Sequence, residues 1–85
     1  MEPNEPQRPL PEIIRVCLVE DHRATRETFA KLLGLAPGIG CVGICGDGVE
    51  ALERIPGLQP DVVLMDFNLA GKNVIECVTE LKRAL

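Results

Sequence analysis

Two near-continuous apolar runs, each closed by a carboxylate, limit what this chain can fold into more than any other feature. The first is "IIRVCLVED", in which Ile13 to Val19 is interrupted only by Arg15 and stops at Glu20 and Asp21. The second is "DVVLMDF", which ends in the same way at Asp66. A run without polar alternation reads as a strand covered on both faces, the signature of a parallel sheet. A carboxylate beside such a strand is costly to bury without a partner, and two side by side also repel.

Between and after these runs the pattern changes to helical spacing. "DHRATRETFAKLLGLAPG" carries Phe29, Leu32, Leu33 and Ala36 on one stripe; Gly34 weakens its last turn and "APG" ends it. "GCVGICGD", residues 40–47, reads as a further short strand, and "GVEALERI" as a short helix with Val49, Leu52 and Ile55 on one side, broken by "PGLQP". After the turn "NLAGK", Val74, Val78, Leu81 and Leu85 mark a last helix, with Asn73 as cap and Glu76 placed to complete a capping box. The order β-α-β-α-β-α predicts a parallel α/β sheet with right-handed crossovers.

In such a sheet ligands bind outside the carboxyl ends of the strands. If the first and third strands are neighbours, Glu20, Asp21 and Asp66 converge there, and a hard cation such as Mg²⁺ compensates them. The plainer reading makes these acids solvated loop residues, with Asp21 capping the first helix. An apolar strand closed by acid twice favours the site.

Composition removes other function classes. A net charge of −4, with no basic run, argues against nucleic-acid or anionic-membrane binding by this chain. The first twelve residues hold four prolines and several charges, and read as a flexible leader unlike a signal peptide. No apolar run reaches the ~18 residues of a membrane helix, so the expected location is the cytoplasm. In that setting Cys17, Cys41, Cys45 and Cys77 read as buried, inert thiols; Cys41 and Cys45 lie in phase along the second strand.

Taken together, "IRVCLVEDHRATRETFAKLL", "GDGVEAL" and "PDVVLMDFNLAGKN" resemble the receiver domain of two-component response regulators, and "EDH" is similar to receivers of LuxR-type regulators. The resemblance implies a flavodoxin-like (CheY-like) α/β fold, present as an incomplete (β-α)3 unit over residues 13–85 after a leader at 1–12. It makes Asp66 the phosphoacceptor and Asp21 and Asp66 ligands of Mg²⁺. Glu20 would assist through water, and the backbone carbonyl of Asn68 would add a ligand. The phosphoryl donor would be a sensor histidine kinase or phosphotransfer protein, and the chain itself would not be an enzyme.

The sequence departs from that family at Ala70, where proline is usual, and at Val74, where glycine is usual. The family's Ser/Thr after a fourth strand and Lys after a fifth have no counterpart before Leu85. Thr25, Thr28 and Thr79 fall in helical segments, and Lys31, Lys72 and Lys82 are not at a later strand end. A truncated receiver would expose its third strand as a sheet edge, favouring self-association. The alternatives are a non-phosphorylated interaction module or an inactive fragment, and a phosphohydrolase of the haloacid dehalogenase type. That last family needs a second acid where the series Asp66, Asn68, Ala70 has asparagine. A literal G-x-G-x-x-G at Gly38, Gly40 and Gly43 lies between a helix and a strand in the wrong order for a dinucleotide site.

Overall fold

The computed structural model describes residues 13–66 and 73–85. The expected leader, the Asn68 carbonyl, Ala70 and Lys72 lie outside the described residues. Six elements follow in the expected order: β1 (Ile14–Val19), α1 (Arg23–Leu35), β2 (Ile39–Cys45), α2 (Gly48–Leu58), β3 (Val62–Met65) and α3 (Val74–Ala84). The strands form one parallel sheet in the order β2-β1-β3. The chain therefore steps from β1 outward to β2, then back across β1 to β3. With right-handed crossovers, that reversal puts α1 on one face of the sheet and α2 on the other.

β1 is central, which is why its run is continuous: Val16, Cys17, Leu18 and Val19 are all buried. Cys17 and Val19 join Cys45, Ala51, Ile55, Cys77 and Leu81 in the core beneath α2 and α3. Burial raises the Cys17 thiol above its ordinary range and pushes Cys45 up to about 11, so both stay protonated near neutrality. All four cysteines are free thiols; three are buried and Cys41 is half-buried. The even spacing of Cys41 and Cys45 is interrupted by a bulge: Val16 pairs with Cys41 and Cys17 with Gly43, which leaves Val42 without a partner.

The helix faces differ in detail from the spacing. On α2 the buried positions are Gly48, Ala51 and Ile55, while Val49 is exposed. On α3 they are Cys77 and Leu81, while Val78 and Leu85 are largely exposed. Small residues at 48, 51 and 77 let these two helices sit close to the sheet and to each other, so the stripe centres on them and not on the branched residues. Pro56 does not break α2, which runs on to Leu58. Proline removes one N–H from the last turn, and that turn is closed by other donors. Gln59, with φ 49°, donates its N–H to Ile55 O at 3.2 Å, and Arg15 Nη2 donates to Leu58 O at 2.6 Å.

α1 ends as expected at Leu35, and Gly38 takes φ 76° in the turn to β2, a conformation that favours glycine. Gly40 and Gly43 lie within β2, so the glycine pattern follows a helix and enters a strand, as its sequence context indicated. No residue of α1 is buried, and Phe29 remains 45 % exposed. β3 is an edge strand, with Val62 and Leu64 about two-fifths exposed (42 % and 40 %). The α1 face of the sheet is thus only partly covered among the described residues. No described helix is long and apolar enough to cross a membrane.

Candidate phosphoacceptor and metal site

The parallel ladder fixes the acids before any side chain is considered. Val19 pairs with Met65, so the next residues along, Glu20 and Asp66, emerge side by side from adjacent strands. Two backbone bonds carry the ladder one step past the strands: Asp66 N donates to Val19 O and Glu20 N donates to Cys45 O, both at 3.0 Å. This is the crevice where the strand order reverses, at the carboxyl ends of the strands.

Glu20, Asp21 and Asp66 each present one oxygen there, and these oxygens lie within 4.8 Å of one another. Glu20 is only 7 % exposed; Asp21 and Asp66 are half-buried. Its carboxylate accepts the His22 N–H at 3.2 Å, which offsets part of its desolvation. No buried side-chain nitrogen or oxygen among the described residues lacks a partner. An all-carboxylate donor set of this spacing fits a hard divalent cation such as Mg²⁺ and is unsuited to a soft, thiolate-seeking metal.

The cap of α1 is His22, not Asp21. Its Nδ1 accepts the Thr25 N–H at 3.3 Å and lies 2.9 Å from Thr25 Oγ1. Asp21 instead presents an oxygen to the acidic cluster. Asn73 caps α3 as its sequence suggests, accepting from Ile75 N at 2.9 Å and Glu76 N at 3.3 Å.

Two features around the site were not read from the sequence. The turn "DGVE" forms a cap in which Asp47 Oδ1 accepts Glu50 N at 2.7 Å and Glu50 Oε2 accepts Gly46 N at 3.0 Å. The spacing D-x-x-E could have announced it. The Gly46 N–H, and after it the Arg54 side chain, hold the Glu50 carboxyl below its ordinary range. The other is Arg26, whose Nη1 donates to Glu20 O at 3.1 Å. No spacing rule gives a bond to a backbone carbonyl six residues back.

Beside the acids, on the α1 face, a cavity of about 260 Å³ is lined by Leu18, Val19, Phe29, Leu64 and Met65 as well as Glu20 and Asp66. The acidic cluster and the uncovered apolar surface are therefore contiguous.

The chain as a whole has counterparts among known proteins. The response regulator receiver domain family matches residues 16–84. The chain belongs to that family. Among its relatives is the DNA-binding transcriptional activator DevR/DosR of Mycobacterium tuberculosis, 38 % identical over 69 residues, 81 % of this chain and 32 % of that protein. The signal receiver domain of the response regulator NarL from M. tuberculosis superposes with a TM-score of 0.79 at 33 % identity, covering 86 % of this chain and 59 % of that one. A LuxR-family response regulator from Aurantimonas sp. SI85-9A1 gives 0.77 at 32 % identity, covering 84 % and 51 %. The expected kinship to LuxR-type receivers is thus found. This receiver spans about a third of the length of the curated relatives it matches. It corresponds to about three β-α units of a CheY-like fold.

Proposed function

We propose that this receiver takes a phosphoryl group onto Asp66 from the phosphohistidine of a sensor kinase or phosphotransfer protein, with Mg²⁺ as cofactor. In that reaction a carboxylate oxygen of Asp66 forms the new P–O bond. The N–P bond of phosphohistidine breaks, and the imidazole nitrogen leaves with the electron pair. Asp21 and Asp66 would hold the metal directly, Glu20 through water, and the Asn68 backbone carbonyl would complete the set. Bound Mg²⁺ supplies neutralisation of the phosphoryl oxygens, without which an anionic donor would meet three carboxylates. The chain's own part is positioning: β1 and β3 hold the nucleophile at a fixed point on the sheet edge, open to an incoming donor.

The observation that carries this reading is the convergence of Glu20, Asp21 and Asp66 oxygens within 4.8 Å at the ends of adjacent parallel strands. Its test is intact-mass analysis after incubation with Mg²⁺ and phosphoramidate, a small donor with the same N–P bond. The expected result is one added phosphoryl group, absent in Asp66→Ala and after chelation of the metal. Uptake that persists in Asp66→Ala would sink the assignment.

A second reading, a docking module that needs no phosphorylation, is favoured by the open β3 edge with its exposed Val62 and Leu64. Self-association through that edge is opposed by the chain's own charges, because Asp61 and Asp66 stand at the two ends of β3. In an antiparallel pair of β3 strands each Asp61 would approach the other copy's Asp66. Sedimentation at low and high salt decides it: a dimer formed only at high salt would fit both the apolar edge and its acidic ends.

A further inference from the structure

We infer that Arg26 is a positioning residue for the acidic cluster: its guanidinium fixes the Glu20–Asp21 turn through the Glu20 carbonyl. The inference rests on the metal-binding reading above and concerns a residue outside the ligand set.

The geometry is specific. Arg26 lies on the first turn of α1, with its backbone N–H bonded to His22 O at 2.8 Å. Its side chain turns back over the end of β1, where Nη1 donates to Glu20 O at 3.1 Å. Glu20 is thus held on three sides. Its N–H is bonded to β2, its carbonyl to Arg26, and its carboxylate accepts the amide of His22. The guanidinium reaches this place across Gly46. A Cβ at Gly46 would lie 3.3 Å from Arg26 Nη1, tighter than ordinary contact, and 3.6 Å from Glu50 Oε2. Arg26 therefore ties α1 to the end of β1 beside the carboxylates, with its guanidinium lying against Gly46 of the β2–α2 turn.

Electrostatics and positioning predict opposite signs here. A guanidinium next to a dication site repels the dication, so removing its charge should tighten metal binding if charge were its only effect. If Arg26 instead holds the turn, its removal lets Glu20 and Asp21 move, and metal binding weakens. One charge-assisted hydrogen bond lost from the turn corresponds to a weakening on the order of tenfold.

The test uses Mn²⁺, titrated by the loss of its free-ion electron paramagnetic resonance signal, on wild type, Arg26→Met and Arg26→Lys. Urea midpoints by far-UV circular dichroism are measured alongside. The expected result is weaker Mn²⁺ binding in Arg26→Met, on the order of tenfold, with recovery in Arg26→Lys, which keeps a donor and the charge. Binding in Arg26→Met as tight as wild type, or tighter, overturns the inference. So does a loss of affinity that Arg26→Lys fails to restore. Hydrogen exchange of the His22 amide gives a readout without metal, since that amide bonds the Glu20 carboxylate. Faster exchange in Arg26→Met at an unchanged urea midpoint supports the role; unchanged exchange overturns it. If wild type binds no Mn²⁺, the metal reading fails by itself, and His22 exchange still decides the role of Arg26 in holding the turn.

Discussion

Replacing Asp66 by asparagine should make the metal-free receiver more stable, although it destroys the proposed nucleophile. The three carboxylate oxygens lie within 4.8 Å of one another. Two unit charges at that separation repel by about 0.9 kcal/mol even at the dielectric of bulk water, and by more where burial lowers it. Asp66→Asn removes two of the three pairs while keeping the side chain's shape and one oxygen. Allowing for screening at physiological salt, the gain is about 1–2 kcal/mol. For a domain of this size that is a rise in melting temperature of roughly 4–16 °C. The chain has no tryptophan or tyrosine, so far-UV circular dichroism is the suitable probe. Melts at low salt should show Asp66→Asn above wild type, and the gap should shrink in 1 M NaCl, where screening acts within about 3 Å. Added Mg²⁺ should also close it, by raising wild type and leaving the variant in place, because a ligand of the folded state stabilises only what binds it. An Asp66→Asn variant less stable than wild type at low salt, with no dependence on salt, would refute the reasoning. The cluster would then be a set of acids already compensated by their protein partners.

Other consequences concern the frame around the site. Cys45, with its thiol raised from 9.0 to about 11, makes the unfolded chain bind fewer protons than the folded one in that interval, so stability falls as pH rises through it. The loss from this thiol reaches up to about 2.7 kcal/mol, and urea titrations at pH 8 to 11 should show a smaller loss in Cys45→Ala than in wild type, the raised Cys17 thiol keeping its own share. Glu50 works at the other end: its depressed carboxyl contributes stability above its unfolded value near 4.5 that is lost as pH falls through the folded one. Acid titrations of Glu50→Gln should lack that small component, under about 1 kcal/mol for so exposed a group, and Asp47→Ala should cost about 1 kcal/mol at neutral pH through the lost cap. Gly43→Ala would put a Cβ 2.5 Å from Leu58 Cδ1 and 3.1 Å from Cys17 Sγ, and should destabilise by about 1–3 kcal/mol in the same melts.

What could be read in the sequence was whatever local chemistry dictates. The acids at 20, 21 and 66 announce themselves because each ends an apolar run, and the β-α alternation then forces parallel strands whose ends share one edge. Asn73 declares itself as a cap because its short side chain precedes a helical stripe. What escaped depends on partners distant in sequence or on the backbone. Pro56 looked like a helix stop, yet in a last turn closed by Gln59 and Arg15 its missing N–H costs little. Val49 and Val78 looked like core by spacing, but small residues at 48, 51 and 77 set the line of closest approach. The bulge at Val42 leaves no mark on composition. Arg26 escaped for the same kind of reason, since its partner is a carbonyl and any residue type could supply one.

The contact between the acidic cluster and the apolar cavity has a consequence for both. Glu20 and Asp66 belong to each: they carry two of the clustered oxygens and line the same hollow as Leu18, Phe29 and Leu64. Water in that hollow solvates the carboxylates and at the same time wets half-exposed Phe29 and Leu64. Any surface that fills it removes apolar area from water and lowers the dielectric around the acids in a single step. The repulsion among the three charges then grows, and so does their attraction for a divalent cation. Covering the hollow without a cation is therefore opposed by the acids, and a divalent cation, by leaving one net negative charge in place of three, would lessen that opposition while the apolar gain stays the same. If the proposed cation binds at the strand ends, its occupancy and packing against the open face of the sheet would be linked equilibria, because β1 and β3 supply both the charges and the apolar wall.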